Sequence, residues 1–195
     1  MSINDLWKDA TDYITSIRTD IFTSINNQLI IFPILQSQLK ITKSKRPSYN
    51  REMYLGINFE NESGLTVFYL SMTSFDIDSG TKNIHTYPGR ICLMISKNGK
   101  DAGNPNEGAS YITDIAYPNT NEKSNIIKDY VVGKENGKFV FDNTKIKDFQ
   151  IYATGYSLFS QDLKCRYELL NEENMDDFVN LVLAFIENRM SFLKA

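Results

Sequence analysis

The segment from Met53 to Ser74 constrains the fold more than any other part of the chain. Two runs of β-branched, aromatic and other apolar residues flank the turn-forming stretch Asn61-Glu62-Ser63-Gly64. This order predicts a β-hairpin, because such runs favour strands while Asn and Gly tolerate the backbone angles of a tight turn. We therefore place this hairpin at the centre of an antiparallel sheet.

Amphipathic helices are predicted at both ends. In the first 25 residues, apolar side chains recur at alternating gaps of four and three, which is the spacing of one helix face. They are Ile3, Trp7, Ala10, Ile14, Ile17, Ile21 and Ile25. The segment from Glu172 to Leu193 has the same spacing, with Asn171 as its expected N-cap. Gln28 to Gln38 is compatible with a strand or with a second helix that begins at Pro33.

The middle of the chain predicts further strands. Apolar or alternating runs indicate strands at 90–95, 111–117, 130–132, 139–141, 149–156 and 163–169, and the pair Asn136-Gly137 indicates a hairpin turn. Lys40 to Arg51 is predicted to be an exposed connection, and Asp76 to Gly89 a polar, turn-rich segment. The expected fold is α+β in one domain, 1–195. Its mostly antiparallel sheet has about six to eight strands, and the N-terminal and C-terminal helices pack on one face.

Composition and charge narrow the class of protein. A formal net charge of -3 gives no global field that would hold a polyanion, so general nucleic-acid binding is not expected. Two cysteines cannot form a disulfide framework, which favours a reducing compartment. The first residues lack the basic and apolar pattern of a signal peptide, and the apolar run Leu29 to Leu35 is too short to span a membrane. We expect a soluble, cytoplasmic protein.

Motifs for metal or phosphate chemistry are incomplete. Asp76 and Asp78 resemble the start of a calcium loop, but Thr81 stands where that loop needs glycine. Residues 103–110 have the glycine spacing of a phosphate-binding loop, but Ala109 replaces its lysine. Any histidine-dependent mechanism would rest on His85, the only histidine of the chain. No cofactor or metal site is predicted from these motifs.

The interpretation that fits these observations best is a non-catalytic protein-binding domain. Its role would be neutralising or regulatory, of the toxin-immunity or phage counter-defence type. Acidic and aromatic residues are expected to form the contact, since interfaces favour tyrosine and complementary charge. The predicted contact residues are Glu107, Tyr111, Glu172, Glu173, Asp176 and Asp177.

The alternative is a metal-dependent phosphodiester hydrolase or nuclease. Asp76, Asp78 and His85 would be its catalytic residues, since carboxylates and imidazole hold metal ions and move protons. Basic and aromatic side chains suit contacts with nucleic acid. The residues predicted to make those contacts are Lys43, Lys45, Arg46 and Tyr49.

Overall fold

The computed structural model describes residues 3–47, 53–73, 75–77, 84–86, 92–96, 101–102, 111–114, 130–146 and 175–193. The helices are α1 (Ile3–Gln28), a 3-10 turn (Leu29–Ile31), α2 (Pro33–Gln38), α3 (Asn143–Ile146) and α4 (Met175–Leu193). The strands are β1 (Lys40–Pro47), β2 (Met53–Glu60), β3 (Thr66–Thr73), β4 (Phe75–Ile77), β5 (Ile84–Thr86), β6 (Cys92–Ile95), β7 (Tyr111–Asp114), β8 (Val131–Glu135) and β9 (Lys138–Phe141). Within these ranges, no helix is both long enough and apolar enough to cross a membrane.

The strands divide among three antiparallel sheets. A five-stranded sheet has the order β1-β2-β3-β6-β7, while β4-β5 and β8-β9 are separate two-stranded ladders. Helices α1 and α4 pack against each other, which confirms the predicted α+β class and the association of the two terminal helices. One sheet of six to eight strands is not seen among the described strands. The strands predicted at 149–156 and 163–169 lie outside the described residues.

The hairpin predicted from Met53 to Ser74 is confirmed as β2 and β3. Asn61 organises its turn, because the side-chain Oδ1 accepts hydrogen bonds from the backbone N–H groups of Ser63 and Leu65. Gly64 takes a φ of 78°, a left-handed value that glycine adopts without strain. The turn is therefore built from the two residue types that made it recognisable in the sequence.

The apolar core rests on two rows of side chains that cross the central strands. In one row Phe59 lies opposite Phe68, which lies opposite Ile95. The second row is Ile57, Leu70 and Leu93. All six are buried in one cluster with the helices, whose members include Ile17, Ile21, Ile25, Phe32, Leu35, Val179, Val182, Phe185 and Ile186. The six strand residues are therefore buried both against one another and against the helices.

The prediction of an exposed connection from Lys40 to Arg51 is wrong over residues 40–47. These residues form β1, the edge strand, which pairs with β2 from Lys40–Glu60 to Pro47–Met53. The strand was missed because it contains four basic residues, Lys40, Lys43, Lys45 and Arg46, and no apolar periodicity. Charged residues are nevertheless common on sheet edges, where they discourage pairing with another chain. Lys43 is exposed and its ammonium lies 5.3 Å from the centroid of the Phe22 ring, which anchors α1 beside this edge.

The prediction for Asp76 to Gly89 also needs correction. Parts of this segment are strands, because β4 and β5 pair with Asp76 opposite His85. His85 is therefore in a strand and not in a loop. Strands of three residues are too short to show an alternating pattern, which explains why the sequence did not indicate them.

The segment from Gln28 to Gln38 is helical, which settles the choice left open by its sequence. Helix α1 runs to Gln28, and a 3-10 turn follows before Pro33 begins α2. Phe32 separates the two with φ -120° and ψ 64°, outside the helical region. Proline at the first helical position needs no N–H partner, so Pro33 favours the new start.

Gly56 allows β2 and β3 to pack closely on the second face of the sheet. A Cβ atom at this position would stand 2.5 Å from Cζ of Tyr69 and even nearer to the carbonyl oxygen of Leu70. Tyr69 is only 1% exposed, so its ring has little room to move away. Glycine is therefore required here by space.

We predict that Gly56→Ala lowers the free energy of unfolding by roughly 1–3 kcal/mol, since overpacking forces the backbone or Tyr69 to shift. Gly133→Ala is the matched control, because a Cβ there meets nothing within 4 Å. The control should be unchanged or more stable by up to about 1 kcal/mol, as it restricts the unfolded chain. Urea unfolding followed by circular dichroism measures both. Equal stability of the two variants would contradict this account of Gly56.

Candidate partner-binding surface

A buried amide on α4 joins three elements of the structure. Asn180 is 5% exposed, and its Nδ2 donates to Oε1 of Gln28 at 3.0 Å and to the carbonyl oxygen of Gly137 at 2.8 Å. Its Oδ1 accepts the backbone N–H of Phe139 at 2.9 Å. Both donors and the acceptor are thus used, as buried polar groups require. The contacts fix α1, the β8-β9 hairpin and α4 relative to one another.

The hairpin reaches this amide because of its two-residue turn. Asn136 and Gly137 have φ values of 50° and 80°, and both positive values are those of a type I′ turn. Glu135 and Lys138 close the ladder on either side. The predicted Asn136-Gly137 hairpin is therefore confirmed, and its turn directs the Gly137 carbonyl towards α4.

Lys138 strengthens the same junction through two contacts. Its Nζ lies 2.8 Å from Oε2 of Glu187 on α4, and both side chains are largely buried. The ammonium also lies 5.0 Å from the centroid of the Phe32 ring. A partly buried ion pair is screened less by solvent than an exposed one, so this contact ties the hairpin to α4 and to the start of α2.

The first turn of α4 carries two exposed carboxylates at fixed positions. Oδ1 of Asp176 accepts a 2.6 Å hydrogen bond from the hydroxyl of Ser24, and Gln28 donates to the Asp176 backbone oxygen at 2.8 Å. Oδ1 of Asp177 pairs with Nζ of Lys134 on β8 at 2.6 Å. Negative charge is favourable at a helix N-terminus, which is consistent with their position. Contacts with α1 and β8 therefore hold both residues in place.

An exposed apolar side chain lies on β8, the strand whose Lys134 pairs with Asp177. Val132 is 67% exposed and precedes Lys134 by two residues on β8. Lys134 also covers the Phe139 ring at 4.4 Å, which orders this part of the hairpin. We name Val132, Lys134, Asp176 and Asp177 the α4 surface. It combines one exposed apolar side chain with charged groups held by neighbouring elements.

The structure brings together only some of the predicted site residues. Asp176 and Asp177 are adjacent and exposed, and Tyr111 begins the edge strand β7. Of the catalytic candidates, Asp76 and His85 occupy facing positions of the β4-β5 ladder. Five of the predicted site residues lie outside the described residues: Glu107, Glu172, Glu173, Asp78 and Tyr49.

The basic candidates belong to one strand. Lys43, Lys45 and Arg46 all lie in β1, opposite Ile57, Leu55 and Tyr54 of β2. The sequence missed the exposed Val132 because Tyr130-Val131-Val132 indicated a strand without indicating which of its residues would be covered.

Burial or hydrogen bonding shifts the pKa of Arg18, Arg189 and Asp142. Burial lowers the pKa of Arg18, an effect that Tyr69 opposes, and the Arg18 guanidinium donates to the carbonyl oxygen of Ser44 at 2.6 Å. Burial also lowers the pKa of Arg189 on α4. The hydrogen bond from the Thr144 hydroxyl lowers the pKa of Asp142, which caps α3. Arg18 thus joins α1 to β1, and Asp142 caps the first turn of α3.

Comparison of the chain with protein-family models, curated proteins and solved structures finds no match. In the portion of the chain that the structure describes, no group of three or more His, Cys, Asp or Glu side chains is arranged to hold a metal ion. The α4 surface is therefore assigned from geometry and charge alone.

We predict that Asn180→Ala lowers the free energy of unfolding by roughly 2–4 kcal/mol, because the Phe139 N–H and the Gly137 carbonyl lose their buried partner. Asn27→Ala is the control, since Asn27 is exposed on α1. Its stability should stay within about 0.5 kcal/mol of the original protein. Urea unfolding measures both variants, and a similar loss in both would argue against the role assigned to Asn180.

Proposed function

We propose that this protein is a non-catalytic protein-binding domain that contacts its partner through the α4 surface. The observation that carries the proposal is the exposed Val132 on β8, two residues before Lys134, whose ammonium pairs with Asp177 at the acidic start of α4. A surface with an apolar side chain and charged groups around it can exclude water from the centre of a contact and select a partner by charge at the margin. This combination needs no reactive group.

The fixed positions of the two carboxylates support the proposal energetically. Binding costs free energy whenever a mobile side chain must be ordered. Here Ser24 and Gln28 already hold Asp176, while Lys134 holds Asp177. Less ordering therefore remains when a partner arrives. The net charge of -3 further favours encounter with a basic protein.

A basic partner suits a neutralising or regulatory role of the toxin-immunity or phage counter-defence type. A protein with such a role covers the functional surface of its partner, and complementary charge speeds the association of the two proteins. Glu107, Tyr111, Glu172 and Glu173 remain predicted contacts. Glu172 and Glu173 precede Met175 by three and two residues, so they would add charge to the acidic start of α4.

We also propose a cytoplasmic location and a larger sheet. The location is supported by the two cysteines, too few for the disulfide framework of a small secreted domain. The sheet would reach six to eight strands if the strands predicted at 149–156 and 163–169 extend it.

We predict that the full-length protein captures one stoichiometric partner from native lysate of its source cells. Combining Val132→Asp with Asp177→Arg should reduce capture by about tenfold or more, since the change removes the apolar contact and reverses a charge. Loss of the exposed Lys134–Asp177 pair costs at most about 1 kcal/mol, so the variant should remain folded.

Glu62→Arg is the matched charge control, because Glu62 is exposed at the β2–β3 turn. It should capture the partner as the original protein does. The proposal fails if no stoichiometric partner is recovered, or if the double variant and the control capture it equally.

A second candidate function is supported by the register of β4 and β5. Because Asp76 faces His85, a carboxylate-bearing and an imidazole-bearing residue share one face of the ladder. These two residue types can hold a divalent metal ion for phosphodiester hydrolysis. Asp78 would add a third ligand in this candidate.

For this candidate, we predict cleavage of nucleic acid in the presence of Mg²⁺ or Mn²⁺. Asp76→Ala should abolish the cleavage by removing a metal ligand, and Glu62→Arg should leave it unchanged. Incubation of purified protein with single- and double-stranded substrates across both metals measures it. Absence of cleavage under all these conditions would reject the hydrolase.

A further inference from the structure

The turn of the β8-β9 hairpin places an asparagine directly before a glycine. Asn136 and Gly137 are both exposed, and Glu135 pairs with Lys138 on either side of them. The side-chain amide carbon of an asparagine can be attacked by the backbone nitrogen of the next residue. Glycine favours this attack because it has no side chain to obstruct the approach. In the described parts of the chain, no other asparagine is followed by glycine.

The geometry of the turn provides the backbone rotation that the attack requires. Asn136 and Gly137 have φ values of 50° and 80°, as in a type I′ turn. Flipping the one peptide unit between them gives a type II′ turn, in which the ψ of the first residue is about -120°. At that ψ the Gly137 nitrogen eclipses Cβ of Asn136, so Cγ comes within reach. Glycine adopts φ values of either sign, so Gly137 follows the flip while the flanking strands stay in place.

The contacts of the turn leave this reaction open. No hydrogen bond joins the Asn136 side chain to another described residue. Asn180 holds the carbonyl oxygen of Gly137, but that oxygen belongs to the next peptide unit and does not take part in the flip. Asn61 in the β2–β3 turn differs, because its Oδ1 accepts backbone hydrogen bonds and Glu62 follows it.

We propose that Asn136 is a site of spontaneous modification, at which its amide is converted through a cyclic imide into isoaspartate and aspartate. The Gly137 nitrogen forms a bond to Cγ of Asn136, and the side-chain nitrogen leaves as ammonia with the proton that the Gly137 nitrogen loses. Water then adds its hydroxyl to one imide carbonyl and returns a proton to the nitrogen. Addition at Cγ gives aspartate, whereas addition at the main-chain carbonyl gives isoaspartate.

Isoaspartate would loosen the junction that the hairpin makes with α4. It adds one carbon atom to the main chain inside a turn that Glu135 and Lys138 close. The Gly137 carbonyl would then move away from Nδ2 of Asn180, and Lys138 away from Glu187. A buried amide that loses a partner destabilises the fold. This inference is independent of the proposed function, because the reaction needs only water.

Incubation of the purified full chain in mildly alkaline buffer made with heavy-oxygen water tests the proposal. Peptide mapping by mass spectrometry should find one heavy oxygen atom incorporated at Asn136, in two products that separate by chromatography. Asn61 should react at least about tenfold more slowly, since the side chain of Glu62 obstructs the attack. Folding should slow the reaction at Asn136 by no more than about fivefold relative to urea, because the flip leaves the strands paired.

The unfolded chain provides an internal reference. A second pair, Asn98-Gly99, lies outside the described residues and, like Asn136-Gly137, is followed by lysine. In urea both pairs should react at similar rates, which establishes that the assay detects the imide. An Asn136 that stays unmodified in the folded protein, while both pairs react in urea, would overturn the proposal.

Two variants separate the effect of the added backbone atom from the effect of charge. Asn136→Gly retains a residue that accepts positive φ but lacks the amide, so the incubated variant should keep its urea midpoint. Freshly purified Asn136→Asp carries the new charge without the extra atom, and its midpoint should be close to that of the original protein. The isolated isoaspartate form should unfold at lower urea concentration than either variant. Equal midpoints for the isoaspartate form and the original protein would overturn the link to the junction.

Discussion

The junction between α1, α4 and the β8-β9 hairpin depends on the buried amide of Asn180. Its three hydrogen bonds reach Gln28, Gly137 and Phe139, at sequence separations of 152, 43 and 41 residues. Apolar packing between α1 and α4 would tolerate small displacements, whereas a buried amide loses free energy whenever one of its partners moves away. The amide therefore gives the junction one defined geometry, and the ion pair of Lys138 with Glu187 reinforces it.

Two surfaces of different chemistry emerge from this junction. The α4 surface carries charged groups held by Ser24, Gln28 and Lys134, while the segment from Ile30 to Ile34 exposes isoleucine and proline. Fixed charge speeds association with a partner of opposite charge. Gln28 connects the two regions, because it contacts Asp176 and lies two residues before Ile30. The same framework thus positions the proposed contact.

Local sequence patterns predicted most of the described fold. Periodicity identified α1 and α4, and the turn residues Asn61–Gly64 and Asn136–Gly137 identified two hairpins, because each signal lies within one element. The edge strand β1 was missed because its pairing with β2 depends on a partner elsewhere in the chain. The sequence also failed to distinguish helix from strand at 28–38.

The candidate site was predictable only in part. Asp176 and Asp177 were expected at the start of a helix, because negative charge is favourable there, and their role in a contact stays a prediction. The junction formed by Asn180 was not predicted, since an asparagine inside an apolar helix gives no indication of partners from two distant elements. The exposure of Ile30, Ile34 and Val132 was also unpredictable, because hydropathy alone does not reveal which apolar residues the rest of the fold leaves uncovered.

The long separation between α1 and α4 has a consequence for how the chain folds during synthesis. The Ser24–Asp176 hydrogen bond joins residues 152 positions apart, and the buried face of α1 shares its core with α4. While the ribosome is still making the strands, α1 has already emerged without the helix that covers it. Exposed apolar surface of this kind favours aggregation and recruits chaperones. Part of the apolar face of α1 therefore stays uncovered until α4 has left the ribosome.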